Sequence, residues 1–363
     1  VPSTTPVYAI PYPTGGDDLR DGNDAIQALA ARVEALIAQR DVSLVGRNVI
    51  RNGDMSVAQR GNGPFTAQGV YGIDGWASTY VGGGNSVSRF QTIPFGVPTK
   101  WGLNAVVSSQ TLVSHYAQVF TKIEGVESLA GKTVTFSFTG LANPASKIAV
   151  ELSQVFGTGG SPSATVNTPV GSIQLGPSPL ARYSLTFAVP SVTGKTIGSA
   201  SNDYLQVTVW LSAGTDYAAR TSSIGLQNAT FQFTDVQLEV GDKATPFERL
   251  PQHAQLAWCQ RFFCRVNNTG GGNLYVGTGN PWNAANLYTP IVLPVPPRAV
   301  PTFSTSAALG YLGSGNGTTT SSSMVGLAGF NTVTITAGGT FTTGAATLLF
   351  VPPGVYMDFA MEL

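Results

Sequence analysis

Along much of the chain, apolar side chains recur at every second position. Val134, Phe136 and Phe138 form one such run, Ile148, Val150 and Leu152 a second, and Leu185, Phe187 and Val189 a third. A period of two sends neighbouring side chains to opposite faces, so each run predicts a strand buried on one face. Glycine, serine and proline crowd the stretches between, as in 157–163 and 176–179, which marks turns. Phe231 and Phe233 alternate in one phase and Val236, Leu238 and Val240 in the other. One extra residue near Asp235, a β-bulge, reconciles the two. Within 205–210, Leu205, Val207 and Val209 point one way and leave Trp210 on the other face with Gln206 and Thr208.

A helical rhythm interrupts this pattern early in the chain. Ile26, Leu29, Val33 and Leu36 follow a three-then-four spacing, the a/d seam of a coiled coil. They stand behind the N-cap chemistry of Asp21-Gly22-Asn23-Asp24, so a helix is predicted over 24–40. Two heptads are too short to be stable alone. The stripe therefore needs a partner surface, and self-association into a trimer is the favoured answer. The β-branched and leucine pattern would favour dimers in a long coil, and packing on the chain's own β region is the alternative. Before the helix, residues 1–20 are proline-rich and irregular, an extended segment that cannot build a core and is expected to dock on a partner.

The layout that follows is mainly β. An N-terminal extended segment (1–20) leads to a short oligomerisation helix and linker (21–45). A jelly-roll β-sandwich (46–249), a helical connector (250–259) and a C-terminal β domain (260–363) complete it. The last region holds a proline-rich stretch at 294–301 and a Gly/Ser/Thr tract at 310–323, then closes on 347–351 and on Val355, Met357, Phe359 and Met361. No internal repeat is visible, which argues against solenoids and propellers.

Composition sharpens this reading. Charged residues make up 10% of the chain, against roughly 25% in an ordinary soluble domain. Glycine (43) and proline (23) are frequent, and low charge with many turn formers and β-branched residues favours all-β architecture. The net charge of zero gives no electrostatic case for nucleic acid or an anionic membrane. No apolar run approaches the ~18–20 residues of a membrane span, so no insertion is expected. No basic and apolar leader opens the sequence, so synthesis in the cytoplasm is expected. Cys259 and Cys264 read as reduced core thiols.

Catalytic chemistry finds little purchase. The nucleophile-elbow spacing, the dinucleotide fingerprint and the phosphate loop are all missing. Two histidines, His115 and His253, are too few for a triad or a His-rich zinc site. Glycoside hydrolysis needs two facing carboxyls. Glu124, Glu127, Glu151, Asp203 and Asp216 are available, but nothing in their spacing singles out a pair, so no enzyme activity is expected. No cofactor is called for, although a structural calcium is possible between first and last strands, at Asp54 and Glu239. Carbohydrate binding is the better reading, since sugars are held by aromatic faces with a few placed polar groups. Trp210, Gln206 and Thr208 are the candidates on a strand, with cover of a subunit interface as the other reading of Trp210. Trp282, in a turn-rich loop, is the candidate at a tip, and Trp76 and Trp101 are assigned to core.

Several motifs resemble those of bacteriophage tail-fibre and minor tail proteins. Tyr8 to Pro13 followed by Ala25-Ile26-Gln27-Ala28-Leu29-Ala30 is similar to their N-terminal region. Asn48-Val49-Ile50-Arg51-Asn52-Gly53-Asp54-Met55-Ser56 resembles the opening strand and turn of carbohydrate-binding-module-like jelly rolls. Tyr71-Gly72-Ile73-Asp74-Gly75-Trp76 resembles the aromatic segment after it. The block from Asp235 to Phe263 resembles the family's domain join, with Cys259-Gln260-Arg261-Phe262-Phe263 standing where relatives often carry tyrosines. The resemblance implies a homotrimeric virion structural protein that joins the tail or baseplate through its N-terminal segment and attaches to a host surface glycan. Two alternatives accompany it, a decoration or connector fibre on capsid, neck or baseplate and a polysaccharide depolymerase.

Overall fold

The computed structural model describes residues 3–4, 11–12, 24, 26–33, 46–92, 98–313, 317–328, 332–343 and 345–363. The chain divides into two compact units, 1–48 and 49–363. In the first, β1 (Ser3–Thr4) pairs antiparallel with β2 (Pro11–Tyr12), and the rest of the extended segment expected over 1–20 lies outside the described residues. Residues 24 and 26–33 are helical (α1). Ile26 is 60% exposed and Val33 39%, while Leu29 is half-buried. Leu36 and the rest of the expected helix lie outside the described residues.

The second unit opens on the segment whose motif, 48–56, resembles an opening strand and turn. It touches the sheet through Val49 N–H, which donates to Leu238 O at 3.0 Å, and then turns. Eleven strands build the sandwich. They are β3 (Tyr71–Ile73), β4 (Trp76–Val81), β5 (Gly84–Gln91), β6 (Trp101–Ser108), β7 (Tyr116–Glu124) and β8 (Thr133–Asn143). Then come β9 (Ser146–Val155), β10 (Val166–Leu175), β11 (Ala181–Ala188), β12 (Tyr204–Ala213) and β13 (Ala229–Val240). One sheet runs β10-β9-β12-β7-β4-β3 and the other β11-β8-β13-β6-β5. The chain crosses repeatedly between them, the layout expected of a jelly roll.

The alternating runs do what their period predicts. Phe136, Phe138, Phe231 and Leu238 from one sheet meet Ile148, Val150, Leu152 and Val207 from the other, all buried in one core. The bulge falls at the expected place. Thr234 pairs with Thr139 and Gln237 with Ser137, so Asp235 and Val236 together face a single residue of β8. Asp235 has φ 51°, a left-handed conformation that aspartate tolerates better than most residues. Trp76 is core, and its Nε1–H donates to Asn52 O at 3.1 Å. Trp101 is only half-buried, under the Arg89 guanidinium at 3.9 Å.

A short segment, Thr215–Tyr217 with α2 (Ala218–Thr221), follows β12, and the connector helix α3 (Gln252–Gln260) follows β13. Beyond α3, β14 (Phe263–Asn267), β23 (Tyr356–Ala360) and β17 (Thr302–Thr305) form a sheet in the order β14-β23-β17. A second sheet runs β19-β18-β22-β15-β16-β21-β20. Its strands are β15 (Leu274–Asn283), β16 (Asn286–Val292), β18 (Gly310–Leu312), β19 (Gly317–Thr318), β20 (Ser321–Ala328), β21 (Thr332–Gly338) and β22 (Thr347–Val351). Leu287, Ile335, Leu349, Met357 and Phe359 share a separate core between these sheets. Cys259 and Cys264 are free and buried. Burial raises both thiols, Cys264 to about 11, so neither is a nucleophile near neutral pH.

The two sandwiches meet at a polar joint. Phe262 and Phe263, at the end of the connector, carry the guanidinium groups of Arg51 (3.7 Å) and Arg60 (3.3 Å) on their rings. Gln59 Nε2 donates to Phe263 O and to Asp74 Oδ1, each at 2.6 Å. Arg60 grips Glu362 with both terminal nitrogens, at 2.7 and 3.3 Å. Lys122 Nζ donates to Leu363 O at 2.7 Å. Burial pushes the Glu362 carboxyl from its ordinary 4.5 up to about 7, and Arg60 and Arg51 offset that only in part.

Two outcomes follow. Arg60→Ala removes the stacking on Phe263 and the partner of Glu362, so chemical denaturation above about pH 7.5, where that carboxyl is ionised in the parent, should show a loss of about 2–4 kcal/mol. The folded chain holds the Glu362 proton up to about pH 7, whereas the unfolded chain releases it near 4.5. The stability this group contributes is therefore complete below the lower value and is lost as pH rises through the upper one. Thermal melts should shift upward as pH falls from about 7.5 to about 5, and Glu362→Gln should flatten that slope.

Candidate functional site

The bulge in β13 decides what the outer face of the five-stranded sheet presents. Beyond it, Gln237 and Glu239 point away from the core, and residues 241–249 fold back over them. Thr245 donates to Glu239 through its backbone N–H (2.8 Å) and its hydroxyl (2.6 Å). Glu248 N–H donates to Gln237 Oε1 at 2.8 Å, and Gln237 Nε2 donates to Glu239 Oε1 at 2.8 Å. These bonds pin the returning segment to the sheet.

At the bulge itself the segment and the sheet separate and leave a cavity of about 370 Å³, lined by Thr139, Arg182, Asp235, Ala244, Thr245, Pro246 and Phe247. Arg182, on the edge strand β11, donates to Asp235 O (2.6 Å) and to Ser137 Oγ (2.7 Å). The Asp235 carboxylate accepts from the Thr99 hydroxyl and lies 3.6 Å from Arg249 Nη2. Burial moves the Arg182 guanidinium below its ordinary range, against the pull of Asp235 and Glu239, and it remains a cation. The result is one apolar wall, Pro246 and Phe247, facing a fixed cation, a carboxylate and a hydroxyl. Such a lining suits a small, hydroxyl-rich ring.

The strand candidates do not form an exposed platform. Gln206, Thr208 and Trp210 share the outer face of β12, as the alternation predicts, but Trp210 is 2% exposed. The segment after β12 covers it, with Tyr217 at 5.4 Å and Tyr116 of β7 at 5.6 Å between ring centres. Its Nε1–H donates to Glu151 Oε2 at 3.3 Å, and Arg220 holds the same carboxylate through two bonds of 2.7 Å. Thr208 is 1% exposed and accepts from Gln206 Nε2 at 2.9 Å. Trp282, by contrast, is 77% exposed at the β15–β16 hairpin.

The pair proposed for calcium does not fit a hard-cation cage. Glu239 is 1% exposed and its oxygens are spent on Gln237 and Thr245, while Asp54 Oδ1 accepts from Ser56 N–H at 3.2 Å. Among the described residues no group of three or more His, Cys, Asp or Glu side chains is placed to hold a metal. The carboxyls weighed for hydrolysis have structural partners where partners are visible. Glu151 holds Arg220, Glu124 holds Arg261 and Arg298, and Asp203 Oδ2 accepts from Val126 N–H at 2.7 Å. His115 Nδ1 accepts from Thr111 N–H at 3.1 Å. Among the described residues no helix is long and apolar enough to cross a membrane. Thr139, Arg182 and Phe247 escaped the sequence reading. An arginine on the polar side of an alternating strand was the one available signal.

No family model and no curated protein matches the chain. Among solved structures it is similar to the enzymatically active domain of bacteriophage CBA120 tailspike protein 4, at 11% identity and a TM-score of 0.32, covering 54% of this chain and 22% of that one. It is also similar to the CBM22-2 xylan-binding domain of Paenibacillus barcinonensis Xyn10C, at 16% identity and a TM-score of 0.31, covering 47% and 93%. A third is TmCBM61 in complex with β-1,4-galactotriose, at 11% identity and a TM-score of 0.28, covering 54% and 100%. Likeness at this level carries no argument about fold or ligand, and the fold rests on the strand pairing above.

The contrast between the two tryptophans is measurable. Trp210→Ala should cost about 3–5 kcal/mol in chemical denaturation, and Trp282→Ala should stay within about 0.5 kcal/mol of the parent.

Proposed function

We propose that this chain is a non-catalytic glycan-binding subunit of a phage tail fibre, using the jelly-roll cavity to hold a sugar unit of a host surface glycan. The observation that carries the reading is the cavity itself, where Phe247 and Pro246 face Arg182, Asp235 and Thr139. Aromatic and apolar surface with a few fixed donors and acceptors is the usual chemistry of sugar recognition. The resemblance of residues 5–37, 48–60 and 235–263 to phage tail proteins supports a place on the virion. In this reading residues 1–20 attach to the tail or baseplate. The stripe of Ile26, Leu29 and Val33 joins three copies, and the protein is made in the host cytoplasm.

The test uses the full chain. Immobilised host envelope polysaccharide should bind it, and Arg182→Lys, which keeps the charge but loses the two-pronged grip, should weaken binding about tenfold or more without a matching loss of thermal stability. Unchanged affinity in that variant would place the glycan elsewhere. Release of oligosaccharide would overturn the non-catalytic part, and light scattering that finds a monomer would overturn the trimer. Binding to virions but never to host cells or their glycans would favour a connector or decoration fibre instead.

A further inference from the structure

The outer face of the seven-stranded C-terminal sheet carries a second set of binding features, far in sequence from the jelly-roll cavity. From Val266 to Met357, Arg298 is the only charged residue. Arg298 does not serve that face, because its Nη2 donates to Ser201 O at 2.9 Å and its Nη1 to Met361 O at 3.3 Å. Leu287 and Ile335 are fully buried on the inner face, so the residues next to them in sequence, Tyr288 and Thr336, lie on the outer one.

The strand register then assembles a row. Asn280 pairs with Tyr288, Tyr288 with Thr336, and Thr336 with Ser323. Four strands at about 4.8 Å spacing make this row roughly 14 Å wide. Thr336 Oγ1 is buried, so the polar groups this row presents are those of Asn280, Tyr288 and Ser323. Beside the row stands Trp282, held in a turn whose Asn283 Oδ1 accepts from Ala285 N–H (2.9 Å) and Asn286 Nδ2 (3.2 Å). Back along β15, Tyr275 packs edge-on to Phe350 at 5.6 Å. The aromatic groups thus mark the two ends of a strip about 20 Å long.

From this arrangement we infer that the outer face of the seven-stranded sheet binds an uncharged polysaccharide, laid along β15 between the Tyr275–Phe350 pair and Trp282. A charged polymer would find no countercharge there, and a hydroxyl-rich neutral one needs none. Its hydroxyls match an amide, a phenol and an aliphatic hydroxyl, while its C–H faces suit exposed rings. A second copy of the chain is a poorer match. Interfaces between copies bury an apolar centre and are depleted in serine, whereas Asn280, Tyr288 and Ser323 carry polar groups from the middle strand β15 out to the edge strand β20.

Affinity electrophoresis of the full chain tests the inference in gels containing dextran, galactomannan or hydroxyethyl cellulose, with polygalacturonate as the anionic control. At least one neutral polymer should retard the chain, and retardation should persist from roughly 50 to 500 mM salt because no ion pair is involved. Trp282→Ala and Tyr288→Ala should each weaken it about fivefold to tenfold. The same weakening by Trp282→Ala should appear in an Arg182→Lys background, which separates this surface from the jelly-roll cavity. Retardation by the anionic polymer alone, indifference to Trp282→Ala, or no retardation by any neutral polymer would overturn the assignment. So would a fall in oligomeric state on Trp282→Ala, since that result would make the face a contact between copies.

Discussion

The left-handed residue Asp235 lets one strand serve two registers. Without the extra residue, either Phe231 and Phe233 or Val236 and Leu238 would face solvent, because a one-residue slip turns every later side chain over. A bulge also frees backbone groups that must find partners. Val236 N–H donates to Gly53 O at 2.9 Å, and a Cβ on Gly53 would lie 2.0 Å from Val236 O. The opening turn therefore fits the bulge only as glycine. The same irregularity exposes the Asp235 carbonyl to Arg182, and so the cavity is a by-product of keeping the core in phase.

Scarce charge is used in a second way. A chain with so few ionic groups could have spread them over its surface for solubility. Instead Arg51, Arg60, Arg261 and Arg298 converge on the joint between the sandwiches, with Glu124 and Glu362 as their partners. Phe262 and Phe263 fit this arrangement for a physical reason. A cation needs a ring face, not a phenolic hydroxyl, so phenylalanine can stand where tyrosine would also stack. Burial then makes Glu362 the group whose protonation is felt at the joint.

The alternating strands, the bulge near Asp235, the connector and the closing strand were legible because each is a local pattern of polar and apolar positions. The side Trp210 takes was legible for the same reason. What covers that side was not, since the segment after β12 has no period and reaches Glu151 through Arg220, a contact spanning 69 positions. The cavity is harder still to read in advance. It needs Arg182 and Asp235 to meet across the sheet, and the 244–247 segment to return over them, and neither event leaves a repeating mark in the sequence.

The returning segment ties these points together. Residues 244–247 wall the cavity, Arg249 reaches back to Thr99 at 2.8 Å, and α3 begins at Gln252. Only a few residues therefore separate the sugar-sized space from the helix that ends at the arginine-stacked phenylalanines. A ligand lodged between Arg182 and Phe247 would touch the rigid sheet on one side and the strap leading to the joint on the other. Segments with few buried apolar contacts open first, and the strap is held mainly by hydrogen bonds to Gln237 and Glu239. Filling the cavity would add contacts to the strap where it has fewest, so a ligand held there would also stiffen the link between the two sandwiches.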